Sequence, residues 1–186
     1  MRIISGSIRG MNLKSPKGEK IRPTSQKVKA AFFNILHDRI YEADFLDLFS
    51  GSGSMGLEAL SRGAKKSVFV DKDRESVRLI HENIKLVRMQ EKATVYQGDV
   101  CRVLPGLNNN NERFGVIYLD PPYLYKDDKI VEILIQMQKG GLVIENGVIG
   151  VERPNREYHE WKLSPYPLQQ KKSYGDTALY LFVARE

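Results

Sequence analysis

Between residues 45 and 151, short apolar runs alternate with segments of helical period, and this constrains the fold more than any other feature of the chain. The apolar runs are 45–49, 68–70, 94–96, 116–119 and 142–151; helical patterns occupy 54–62, 73–88, 101–107 and 128–139 between them. Strands separated by helices run parallel, and the right-handed crossover sets helices on both faces of the sheet. The expectation is therefore α/β, a Rossmann-like doubly wound sheet. Residues 161–163 and 178–183 then follow without a useful helix between them, which predicts an antiparallel pair at the end of the sheet.

The first 23 residues read differently. Short β-type stretches around Gly6 and Gly10, then Pro16, Gly18 and Pro23, predict a small β-hairpin appendage, with the main domain running from residue 24 to 186. From a Thr24 or Ser25 N-cap, the residues Val28, Ala31, Phe32, Ile35 and Leu36 recur at helical spacing. Lys27, Lys29 and Asn34 fall on the other face, where they would be shown to a ligand. Residues 108–111, all Asn, predict an exposed loop, and Trp161 predicts a core position.

Charge sharpens the division. Residues 1–40 hold nine Lys or Arg against two acids, whereas the remaining 146 residues hold 20 against 21. A basic head on a nearly neutral body fits a polyanionic partner, because cations set against phosphates release counterions. The apolar runs are far shorter than the roughly 20 residues that span a bilayer, and residues 1–6 lack a secretory signal pattern, so a cytoplasmic chain without membrane contact is expected. Cys101, the single cysteine, is expected to be a small helix residue, and no Cys/His cluster predicts a metal. No long amphipathic stretch is left over, so a monomer is the default.

Chemistry enters at residues 47–56, Asp-Leu-Phe-Ser-Gly-Ser-Gly-Ser-Met-Gly, where a strand closes on Gly51, Gly53 and Gly56 and a helix opens. Glycines there allow a tight turn and close approach of a ligand to the backbone. About 20 residues further on, Asp71 ends the next strand, where a carboxylate can accept both hydrogens of a ribose diol. This much fits a nicotinamide dinucleotide as well as S-adenosylmethionine. Asp47 favours the methyl donor, since an acid there meets the ammonium of a methionine moiety and would repel a pyrophosphate. Asp99, after the third strand, is placed for an adenine amino group and also to cap the helix that follows.

Asp120-Pro121-Pro122-Tyr123 follows the run 116–119 directly and so sits at the carboxyl end of a central strand, where open α/β sheets hold their ligands. An exocyclic amino group on a base is a poor nucleophile because its lone pair is delocalised into the ring. If the Asp120 carboxylate and the Pro121 carbonyl each accept one of its hydrogens, the nitrogen is oriented and gains electron density. Tyr123 would stack on the base.

These two segments look like motifs I and IV of the amino-methyltransferases. The whole chain resembles the RsmD-like family, bacterial methyltransferases of the exocyclic N2 of a guanine in small-subunit ribosomal RNA. The resemblance runs through residues 2–6, Arg9-Gly10, Arg22-Pro23-Thr24, residues 32–36, 47–64 and 120–123, and closes with 173–177. It implies a class I S-adenosylmethionine-dependent methyltransferase with a seven-stranded, mostly parallel sheet of order 3-2-1-4-5-7-6 and one antiparallel strand. It places the donor near Asp47, Ser50, Gly51, Gly53, Asp71 and Asp99. It places 16S ribosomal RNA, within an assembling small subunit, against Arg9, Arg22, Thr24, Lys172 and Tyr174. The family often has Phe where this chain has Tyr123, and either ring stacks. From the residues alone, an adenine-N6 DNA methyltransferase, a nicotinamide oxidoreductase and a non-catalytic RNA-binding module stay open.

Overall fold

The computed structural model describes residues 1–15, 26–155, 161 and 163–185. Within them a seven-stranded sheet carries helices on both faces. In chain order the elements are α1 (Gln26–Leu36), β1 (Asp44–Leu48), α2 (Ser54–Ser61), β2 (Lys66–Asp71), α3 (Arg74–Val87), β3 (Ala93–Gln97) and α4 (Val100–Asn109). Then follow β4 (Phe114–Leu119), α5 (Asp127–Lys139), β5 (Val143–Pro154), β6 (Leu168–Tyr174) and β7 (Thr177–Val183). The strand order is β3-β2-β1-β4-β5-β7-β6, and β7 alone is reversed in direction relative to the other six strands.

Central strands buried on both faces are mostly apolar, as Phe45, Leu46, Leu48 and Val116 to Leu119 show, with Asp47 the buried exception in β1. One face packs Leu46, Ile117 and Ile149 against Leu104 of α4 and Ile130, Ile133 and Leu134 of α5. The other packs Phe45, Phe69 and Tyr118 against Phe32 of α1, Leu57 of α2 and Ile80 of α3. The chain leaves β1 towards β2 on one side and returns through β4 on the other. Such a reversal opens a crevice above the carboxyl ends of the two strands.

The N-terminal segment pairs antiparallel with itself at Arg2 and Asn12, and its Ile3 and Leu13 are buried in the second core. Glu58 of α2 receives the N–H groups of Ile4 and Ser5 at 2.8 and 3.0 Å and is ion-paired with Lys29 at 3.5 Å and Arg62 at 2.8 Å. Asn83 of α3 holds both the N–H and the carbonyl of Lys14. The described part of the head is therefore fastened to two helices.

Three sequence readings are corrected here. Lys29 does not face a ligand: it is 2% exposed, and its ammonium also donates to the Arg2 carbonyl at 2.9 Å, so burial is offset by Glu58 and a main-chain acceptor. Neither 161 nor 163, the described residues of the run expected as a strand, is in one; Trp161 instead packs edge-on against Tyr180 and Phe182 at 5.1 and 5.3 Å, a core position as expected, and the outer strand is the polar β6. Most side chains of this edge strand are exposed, so no buried face imposes an apolar alternation on it. The Asn run is no simple loop either, since α4 continues through Asn109 before Asn111 turns at φ 56°. The expected N-caps Thr24 and Ser25 lie outside the described residues.

Candidate active site

Above β1 and β4 lies a cleft of about 1700 Å³, floored by Asp47, Tyr118 and Glu152 and walled by the glycine loop, Asp71 and the Asp120 turn. Tyr174 to Thr177 close one side, and Met1, Lys14 and Ser15 line another, so the N-terminal segment forms part of the wall.

The glycine loop is held from below. The Ser50 hydroxyl donates to the Asp47 carbonyl at 2.5 Å and accepts from the Val70 N–H at 3.0 Å, tying β1 to β2; it braces the loop on main-chain groups. Gly51 sits at φ 56°, where a side chain is strained, and the space above its Cα is open. Gly53, at φ 76°, precedes the first turn of α2. Gly56 permits the close packing of α2: a Cβ there would lie 2.3 Å from the Phe69 ring.

Asp47 is the electrostatic focus. Only 2% exposed, its carboxyl accepts the Gly56 N–H at 2.9 Å, yet burial pushes its pKa up to about 8, with Asp71 adding repulsion. A buried acid in that state gains strongly from a cation brought into the cleft. Asp71 accepts from Gly51 N–H at 2.8 Å and Asp73 N–H at 2.9 Å, one on each oxygen, and is itself raised, chiefly by burial. These observations fit S-adenosylmethionine: an acid seeking an ammonium, open space over a glycine, and a second acid at the neighbouring strand end. Asp99 caps α4, accepting the Cys101 N–H at 3.0 Å, and lies beyond the cleft lining at the exposed end of β3.

Asp120 follows β4, and its N–H reaches the Leu48 carbonyl at 3.4 Å across the switch point. Pro121 is buried, the Pro122 carbonyl accepts the Tyr125 N–H at 2.8 Å, and Tyr123 stands 51% exposed at the mouth. The structure thus gathers Asp47, Ser50, Gly51, Asp71, Asp120, Pro121, Tyr123 and Tyr174 into one cleft. Arg9 is exposed on the hairpin and Lys172 is half-buried on β6, both outside the lining, and Arg22 and Thr24 lie outside the described residues.

Sequence reading missed Tyr118 and Glu152. Tyr118 is fully buried and donates its hydroxyl to Glu152 Oε2 at 2.6 Å. The missed signal was an acid closing an apolar strand, the same mark that had exposed Asp71 and Asp120.

Comparison with known proteins agrees with this arrangement. YlbH of Bacillus subtilis (strain 168), named as a candidate rRNA methyltransferase, is 34% identical over 185 residues that span all of both chains. The ribosomal RNA small subunit methyltransferase D of Escherichia coli K12 is 27% identical over 182 residues, 98% of this chain and 89% of that protein. A solved structure of a hypothetical protein from Thermus thermophilus superposes with a TM-score of 0.82 at 34% identity, covering 97% of this chain and 98% of that one. The model of one family, described as conserved hypothetical protein 95, matches residues 1–183, and with it the chain belongs to the RsmD family of S-adenosylmethionine-dependent methyltransferases.

Proposed function

We propose that this protein methylates the exocyclic N2 of a guanine in small-subunit ribosomal RNA, on a subunit still being assembled. The observation that carries the reading is the meeting of the Asp120-Pro121-Pro122-Tyr123 turn and the buried Asp47 in one cleft at the switch point of the sheet. The small-subunit RNA methyltransferase named among the relatives supports the substrate class.

Bound S-adenosylmethionine would supply a methyl carbon made electrophilic by its sulfonium. Asp47 would hold the ammonium, Asp71 the ribose diol and Asp99 the adenine amino group. Asp120 and the Pro121 carbonyl accept the two hydrogens of the guanine amino group and turn its nitrogen towards the methyl. Bonding of the methyl carbon to the nitrogen would break the carbon–sulfur bond, the electron pair leaving with sulfur as S-adenosylhomocysteine; the Asp120 carboxylate takes the proton the nitrogen sheds and returns it to water, acid–base help worth on the order of 10² to 10⁴ in rate. Tyr123, standing at the mouth, stacks on the base, a contact worth roughly 1 to 3 kcal/mol. Arg9, Lys172 and Tyr174 would face the RNA; Arg22 and Thr24, outside the described residues, are assigned the same role from the family resemblance alone.

The test is transfer of labelled methyl to unmodified small subunits, to their naked RNA and to duplex DNA. N2-methylguanine in the ribosomal RNA is the expected product. Label confined to adenine in DNA overturns the reading. Asp120→Ala is expected to abolish turnover and to leave donor binding within about threefold, because the residue contacts the base and not the donor; equal loss of both would make it structural.

A further inference from the structure

The roles proposed for Asp47 and Asp120 leave the Tyr118–Glu152 pair unused. Tyr118 lies in β4 and Glu152 in β5, and Leu119 is the register partner of Val151. Continuing that register one step past the end of β4 sets Asp120 opposite Glu152, on the face that carries Tyr118. Both line the cleft, and the phenol of Tyr118 fixes the carboxylate of Glu152 from below. Burial, then the charge of Glu152, holds the phenol protonated by raising its pKa well above the ordinary value, so it stays a donor.

A carboxylate beside the group that grips an exocyclic amino group faces the next atom on the base. Of the two ring nitrogens that flank the guanine amino group, N3 bears a lone pair and N1 carries a hydrogen, so only the N1 edge can meet a carboxylate. In adenine the ring nitrogen beside the amino group bears a lone pair, which a carboxylate repels. We infer that Glu152 is the specificity determinant of this enzyme, accepting the guanine N1–H while Asp120 and Pro121 hold N2, with Tyr118 as its positioning residue. The inference rests on the guanine-N2 reading and adds the residue that enforces it.

Once labelled transfer has located the target guanine, small subunits carrying 2-aminopurine there provide the test. That base keeps the amino group but has a bare N1. Sites built to bond a substrate N–H reject analogues that lack it by on the order of 10⁴, so the wild type is expected to favour guanine by at least about 100-fold in kcat/KM. Glu152→Gln, whose amide can donate to a bare N1, should bring the ratio of the two substrates to within about tenfold of unity. Calorimetric binding of S-adenosylmethionine should be unchanged. Tyr118→Phe should lower the same ratio by about tenfold, mainly through KM for guanine; a purely structural role would reduce both substrates alike. Should Glu152→Gln lose donor binding through misfolding, the Tyr118→Phe ratio decides. An unchanged ratio in a folded variant overturns the assignment, and so does a wild type that uses both bases equally. Absence of any methyl on ribosomal guanine is a separate outcome, in which the proposed function falls first.

Discussion

Asp47 shows how a single residue can hold a site ready for its ligand. In the free protein its pKa is about 8, against roughly 3.9 for an unfolded Asp. The folded chain therefore binds the extra proton, and the stability this confers is present at low pH and lost as pH rises from about 4 through 8. An ammonium seated beside Asp47 reverses the preference and expels that proton. Calorimetry of S-adenosylmethionine binding at pH 7 in two buffers of different ionisation enthalpy should show close to one proton released. Asp47→Asn should remove the release, and an enthalpy independent of buffer in the wild type would refute the pairing. Phe49 is a second local signature: it turns at φ 61°, a conformation that costs a non-glycine residue on the order of 1–3 kcal/mol, with its ring set edge-on to Tyr125 at 5.2 Å.

At the scale of elements, α2 organises more than its eight residues suggest. Its first turn presents the Gly56 N–H to Asp47, its middle carries Glu58, and Ser61 receives the Ser7 N–H on its carbonyl at 2.7 Å. Glu58 is wholly buried and serves two main-chain donors and two cations, so its loss strands Lys29 in the core. Glu58→Ala should cost about 3–5 kcal/mol in urea unfolding, and adding Lys29→Met should recover a substantial part. A loss below about 1 kcal/mol would show that the cluster holds little of the fold together. Gly6 abuts the same helix at φ 87°, with a hypothetical Cβ only 1.8 Å from the Ser61 carbonyl oxygen. Gly6→Ala should therefore lift the hairpin, read as faster hydrogen exchange at the Ser7 amide with the β4 amides unaffected. Equal acceleration in both would indicate global destabilisation instead.

For the whole molecule, the fastened N-terminal segment alters how RNA docking should be tested. Deleting the head would remove Ile3 and Leu13 from the core, so charge removal is the cleaner perturbation. Every cation withdrawn from a phosphate should reduce the slope of log affinity against log salt by about 1. Arg9→Ala with Lys172→Ala should thus flatten it by about 2 while donor binding stays the same; an unaltered slope would place the docking surface elsewhere. Much of this architecture was legible in the sequence. The alternation of apolar runs and helical periods determined the doubly wound sheet, because period is a local property of the chain. The glycine loop, Asp47, Asp71 and the Asp120 turn were legible because strand ends are where such sheets meet their ligands. Only the tertiary structure decided that Lys29 is a buried partner of Glu58, that polar β6 is the outer strand, that Met1 and Lys14 wall the cleft, and that Glu152 stands beside Asp120. Each of these depends on contacts between segments far apart in sequence, where burial and register, rather than local pattern, set what a side chain meets.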